Sequence, residues 1–145
     1  MNLPEMLPRS AALLLTMLAL SAQAEDVVVI VNIDNTATVD RTLVQQLYTG
    51  GARGWSDGAP AFVLDQPEGT ALRAEFSTGL LGRSLPNLHA IWAQNIFTGR
   101  GLPPKVAPDG AMKRLVAGNR QAIGYIRASE LDGTVRAVLR YQGQP

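Results

Sequence analysis

Apolar and polar positions along this chain fall into blocks that switch between two periods. Val27-Val28-Val29-Ile30-Val31-Asn32 opens with an unbroken β-branched run, the pattern of a strand covered on both faces. A turn follows at Asp34-Asn35-Thr36. Thr38 or Asp40 then caps a helix whose apolar face is Leu43, Val44, Leu47 and Tyr48, and Gly50-Gly51 ends it. Residues 53–60 form a loop, and Ala61-Phe62-Val63-Leu64 makes a second short strand. A helix over 68–81 carries Leu72, Phe76 and Leu80 on one stripe. Ser84 caps the next helix, which runs to Phe97 and buries Leu88, Ile91, Trp92 and Ile96.

After a rigid loop from Gly99 to Pro104, Asp109 starts a helix with Met112, Leu115 and Val116 inward, stopped by Gly118-Asn119. Ala122-Ile123-Gly124-Tyr125-Ile126 is a strand, Asp132-Gly133 a turn, and Thr134 to Leu139 the last strand. Strands alternating with helices predict an α/β domain, a three-layer sandwich with one mixed β-sheet. Val29, Val31, Leu47, Val63, Phe76, Trp92, Leu115 and Ile123 are its expected core. Gly124 permits close packing against its strand. Leu47-Tyr48-Thr49-Gly50 and Ile96-Phe97-Thr98-Gly99 echo each other as helix ends, with no repeat between them.

The first block is of another kind. A weakly basic start, an apolar stretch from Ser10 to Ser21 and the small residues of Ala22-Gln23-Ala24 make residues 1–24 a signal peptide cut after Ala24. The stretch is short of the roughly 20 residues that span a bilayer. The expected mature protein is a periplasmic domain over 25–145, with no membrane span after cleavage.

Composition narrows the function classes. The chain has 145 residues, a formal net charge of +1, one histidine and no cysteine. No disulfide framework staples it, and no zinc or calcium ligand set is visible. Scattered basic residues give no nucleic-acid footprint. Ser56, Ser77, Ser84 and Ser129 lack a Gly-x-Ser-x-Gly setting, and His89 has no partner nucleophile. An enzyme is therefore not expected, and no cofactor is called for. Trp55 and Trp92 read as packing residues.

The chemistry-bearing segment is Leu64-Asp65-Gln66-Pro67-Glu68-Gly69-Thr70-Ala71-Leu72-Arg73. An apolar strand stops, a Pro/Gly turn follows and a helix starts. The first N–H groups of a helix lack partners inside it, and its dipole is positive there. Gly69 and Thr70 are candidate anion donors; the plain alternative is that they only turn the chain and cap the helix. Arg73, one helical turn on, points either toward this seat or to solvent.

In order and spacing, the chain resembles the phosphate-binding proteins of periplasmic ABC transporters, of the type II periplasmic-binding-protein fold. The matching elements are the leading strand, Leu43 to Gly50 before Trp55-Ser56-Asp57-Gly58, Glu68-Gly69-Thr70 with Arg73 and Phe76, Trp92, and Ala122-Ile123-Gly124-Tyr125. They correspond to one lobe of a two-lobed protein. The resemblance implies a ligand, phosphate or a similar oxyanion, held at Gly69 and Thr70 with Arg73 and Glu68 beside it, and a transporter partner.

Two departures change that expectation. Glu68 stands where the family has serine, and Leu64 falls near the position of its arginine, so a repelling carboxylate replaces a hydroxyl and a bidentate donor is missing. Weak oxyanion binding follows, tightened if a homodimer closes a cleft. The alternative is a ligand-free interaction module that keeps the fold and works with an envelope protein.

Overall fold

The computed structural model describes residues 25–143. The signal peptide expected over 1–24 lies outside them. A five-stranded mixed sheet in the order β3-β2-β4-β1-β5 is built from β1 (Val27–Asn32), β2 (Phe62–Asp65), β3 (Lys105–Val106), β4 (Ala122–Arg127) and β5 (Val135–Tyr141). Strand β1 runs antiparallel to both neighbours, with Val29 opposite Tyr125 on one side and Leu139 on the other. Strand β2 is parallel to β3 and β4.

Alternate residues of β1 feed two cores. Val27, Val29 and Val31 pack with Ile123 and Tyr125 under α1 (Arg41–Thr49), α2 (Ala71–Glu75) with its continuation, and α3 (Leu85–Phe97). Val28 and Ile30 pack with Ala122 and Ile126 under α4 (Met112–Ala117). These three layers are the expected α/β sandwich, and they explain why β1 carries no polar alternation. Gly124 faces α4, where an added Cβ would collide with the Met112 thioether. Lys113 of α4 reaches the turn before β5 and bonds Asp132 at 2.7 Å. That bond, with those from Thr134, holds the Asp132 carboxyl below the ordinary carboxylate range.

The helix caps follow from local chemistry. Asp40 accepts from the Leu43 N–H, Thr70 from Arg73 and Ser84 from Asn87, and Gly50 ends α1 at φ +84°. An added Cβ at Gly50 would also meet Asn95 Nδ2 at 2.6 Å.

Several expectations need correction. The helix expected over 68–81 starts at Ala71 and widens into a π-helical segment, Phe76–Leu81. Arg41 and Gln45 satisfy the Leu80 carbonyl there, each at 3.2 Å. Strand β2 sits one residue later than expected, and β3 was not expected. Helix α4 begins at Met112 with no side-chain cap, not at Asp109.

Ile96 is 52% exposed, not buried. Trp92 Nε1 donates to Tyr48 O at 2.9 Å, and Asn95 Nδ2 donates to Thr49 O at 2.9 Å. Helix α3 thus docks on the unpaired carbonyl end of α1 through polar donors. That contact turns Asn95 inward and Ile96 outward. Trp92, Val63 and Leu115 are half-buried, and the other expected core residues are fully buried.

Candidate functional site

The turn between β2 and α2 lies at the end of the sheet where β2 and β4 both finish. Gly69 makes it possible by taking φ +80°. Thr70 then sits in extended conformation as the N-cap of α2. Its hydroxyl donates to Pro67 O at 2.8 Å and accepts from the Arg73 N–H at 3.4 Å. The single hydroxyl proton is therefore engaged by the turn itself. Among the described residues, the backbone N–H groups of Gly69, Ala71 and Leu72 have no hydrogen-bond acceptor, while the Thr70 N–H closes the turn toward Pro67 O. Glu68 and Gly69 are exposed and Thr70 is half-buried.

Arg73 turns back beneath the turn and is only 9% exposed. Its Nη2 lies 3.5 Å from Asp65 Oδ2, and its Nη1 donates to Gln66 O at 3.3 Å. Nη1 also lies 3.9 Å from Glu68 Oε1, whose other neighbour is His89 Nε2 at 3.7 Å. Arg73 Nε is buried without a partner among the described residues.

Asp65 is 4% exposed. It accepts from the Tyr125 hydroxyl and from the Gln66 N–H at 2.9 Å, while Gln66 Nε2 donates to Tyr125 O at 2.7 Å. Phe76 stacks on the Tyr125 ring with centroids 3.7 Å apart, and Tyr48 meets Phe76 edge-on at 4.7 Å. Tyr48 in turn donates to Leu64 O at 2.6 Å. Burial first, and the Asp65 carboxylate second, raise both tyrosine pKa values well above their ordinary value. Both phenols therefore stay neutral donors at physiological pH.

Two carboxylates thus surround one guanidinium. Asp65 neutralises Arg73 from inside, and Glu68 approaches it from solvent. The arrangement offers an exposed row of backbone donors at a helix start, beside a cation whose charge is already balanced. Two carboxylates against one guanidinium leave a local excess of negative charge there.

The expected site residues Glu68, Gly69, Thr70 and Arg73 do come together at this turn. Arg73 points inward to Asp65, not to solvent. Asp65, Gln66 and Tyr125 were missed as parts of the same network. A charged residue ending an apolar strand, with an arginine eight positions on, was the available signal. His89 is exposed, and its charged neighbour is Glu68. Among the described residues no cluster of His, Asp and Glu is arranged to hold a metal.

No protein-family model matches the chain, and no curated protein matches it at a significant level. Solved structures do. One, from Clostridium perfringens, is described as a phosphate ABC transporter substrate-binding protein with bound phosphate. It matches at TM-score 0.64 and 24% identity, over 80% of this chain and 46% of that one. An ABC-type phosphate transport receptor from Vibrio cholerae matches at TM-score 0.61 and 23% identity, over 79% of this chain and 45% of that one. PstS from Borrelia burgdorferi matches at TM-score 0.53 and 11% identity, over 72% and 41%. This chain thus has the fold of a single lobe of such binding proteins, and it spans less than half the length of those it matches. No helix among the described residues is long and apolar enough to cross a membrane.

Proposed function

We propose that this chain is an exported, periplasmic solute-binding-type domain whose turn over 68–73 seats phosphate or a similar small oxyanion weakly, with the Glu68 carboxylate competing for the same donors. The observation that carries this reading is the set of unpaired backbone N–H groups of Gly69, Ala71 and Leu72 beside the Arg73 guanidinium. A helix start with free donors suits an oxyanion. The fold, shared with proteins described as phosphate receptors, supports the same class of ligand.

Weakness follows from the surroundings. The turn is open to water, so each hydrogen bond to a ligand replaces one to solvent and nets about 0.5–1.5 kcal/mol. Three such bonds total about 1.5–4.5 kcal/mol, which at its upper end reaches an affinity on the order of millimolar, about −4 kcal/mol. A second wall would tighten it. A second copy of this chain or a partner in the envelope, including a transporter, is the proposed source of that wall.

A ligand-free interaction module is the second reading. One observation favours it: the Thr70 proton and the Arg73 charge are already taken by Pro67, Asp65 and Glu68.

Calorimetry with phosphate and sulfate separates the two. The expected result is millimolar binding to the wild type and tighter binding to Glu68→Ser. The Glu68 carboxylate removed is exposed and solvent-screened, so the gain is limited to roughly 0.2–1 kcal/mol, or up to about five-fold. Absence of heat in both proteins would leave the interaction module as the reading.

A further inference from the structure

A groove of about 320 Å³ lies on the α1 and α3 side of the sheet, away from the turn over 68–73. Leu47, Val63 and Trp92 line it on that face, the loop 100–105 forms one wall, and Phe62 and Lys105, which share the α4 face with Ala122 and Leu64, border it at the open edge of β2. The apolar groups here are incompletely covered. Phe62 is partly exposed and Leu102 is 81% exposed; Phe97, beside the groove at the end of α3 leading into this loop, is 88% exposed. Large apolar side chains grouped on a surface mark an interaction site more than scattered ones do.

Charge adds a second, independent signal. Arg53, Arg100 and Lys105 all line the groove, and no Asp or Glu does. Among the described residues none of these three cations has a carboxylate within 4 Å, so their charge is open to a partner's carboxylate. Arg53 only donates to the Arg100 carbonyl, which braces the loop. Lys105 rests 6.0 Å over the Phe62 ring and begins β3, the edge strand of the sheet. The outer backbone of β3 is therefore open to another strand.

We propose that this groove docks an acidic segment of a partner protein, with an apolar side chain inserted over Trp92, carboxylates meeting Arg53 and Arg100, and a further carboxylate meeting Lys105 where the segment passes the sheet edge. An extended segment entering past Lys105 is placed to continue along the β3 edge, where main-chain bonds add affinity. The recess favours a peptide over a flat lipid surface. A bilayer would meet the protruding Phe97 and Leu102 but would leave the floor at Leu47 and Trp92 unfilled.

Panning a displayed library of random dodecapeptides against residues 25–145 tests this. Enrichment of Asp or Glu next to Leu, Phe or Trp is expected, and a synthetic copy of an enriched peptide should shift the Trp92 indole resonance and not that of buried Trp55. Reversing the exposed charges in Arg100→Glu with Lys105→Glu should weaken that peptide at least ten-fold, and Leu102→Ser should weaken it too. The unfolding midpoint should stay unchanged in both variants. No enrichment, enrichment without acidic residues, or affinity indifferent to the charge reversal would overturn the proposal. So would self-association abolished by Leu102→Ser, which would assign the groove to a second copy. Co-sedimentation with phosphatidylglycerol vesicles, lost in the same variants, would assign it to a lipid surface.

Discussion

Replacing Asp65 by alanine should destabilise the domain by about 3–5 kcal/mol, because it strands the Arg73 charge in a site only 9% exposed. Against a typical total of roughly 5–15 kcal/mol, that is a large share. The same change removes the acceptor of the Tyr125 hydroxyl and the nearer acceptor of the Gln66 N–H, which keeps only the Tyr125 oxygen at 3.4 Å. Arg73→Met should cost less, since Asp65 keeps those two donors and the methionine fills the apolar part of the site. Urea unfolding of the two variants checks both the size and the order. A loss under about 1 kcal/mol for Asp65→Ala, the range of exposed pairs, would mean that the pair is open to water. A larger loss for Arg73→Met would mean that the carboxylate depends on the arginine more than on its hydrogen bonds.

Phe76→Ala should cost a comparable amount, about 3–5 kcal/mol. Its ring is 1% exposed and lies between Tyr125, stacked at 3.7 Å, and Tyr48, edge-on at 4.7 Å. Truncation removes both aromatic contacts, each worth about 0.5–1.5 kcal/mol beyond area, and leaves a void beside the buried network. Phe76→Leu keeps much of the apolar volume and should cost clearly less. Denaturant midpoints measure the difference. Equal losses for Ala and Leu would show that ring stacking, not volume, holds the site.

The unbroken Val27–Val31 run, the face of α1 and the cap Ser84 are legible in the sequence because neighbouring residues decide them; the cap of α1 is narrowed only to Thr38 or Asp40, and the structure selects Asp40. The same locality makes the turn over 68–73 legible, with its glycine, its cap and its arginine. What escapes is decided by distant partners. Asp65 looks like a strand end until Tyr125, 60 residues on, supplies a donor. The phase of α3 depends on carbonyls of α1, so a hydrophobic stripe alone turns Ile96 the wrong way. Strand β3 has two residues, too few for any period, and exists because Leu64 and Asp65 pair with it. Arg73 shows the limit most sharply. Its position on the helix is evident, but its inward direction depends on a buried carboxylate whose burial comes only with the fold.

Amide chemical shifts report directly on the weak oxyanion seat. In a phosphate titration of residues 25–145 followed by ¹H–¹⁵N NMR at constant ionic strength, the N–H signals of Gly69, Ala71 and Leu72 should move together. They should saturate at phosphate concentrations on the order of millimolar, and the groove residues Trp92 and Leu102 should stay still. Amides of Gly69, Ala71 and Leu72 that do not move, or that move no more with phosphate than with chloride, would contradict the account and leave this turn as a helix cap.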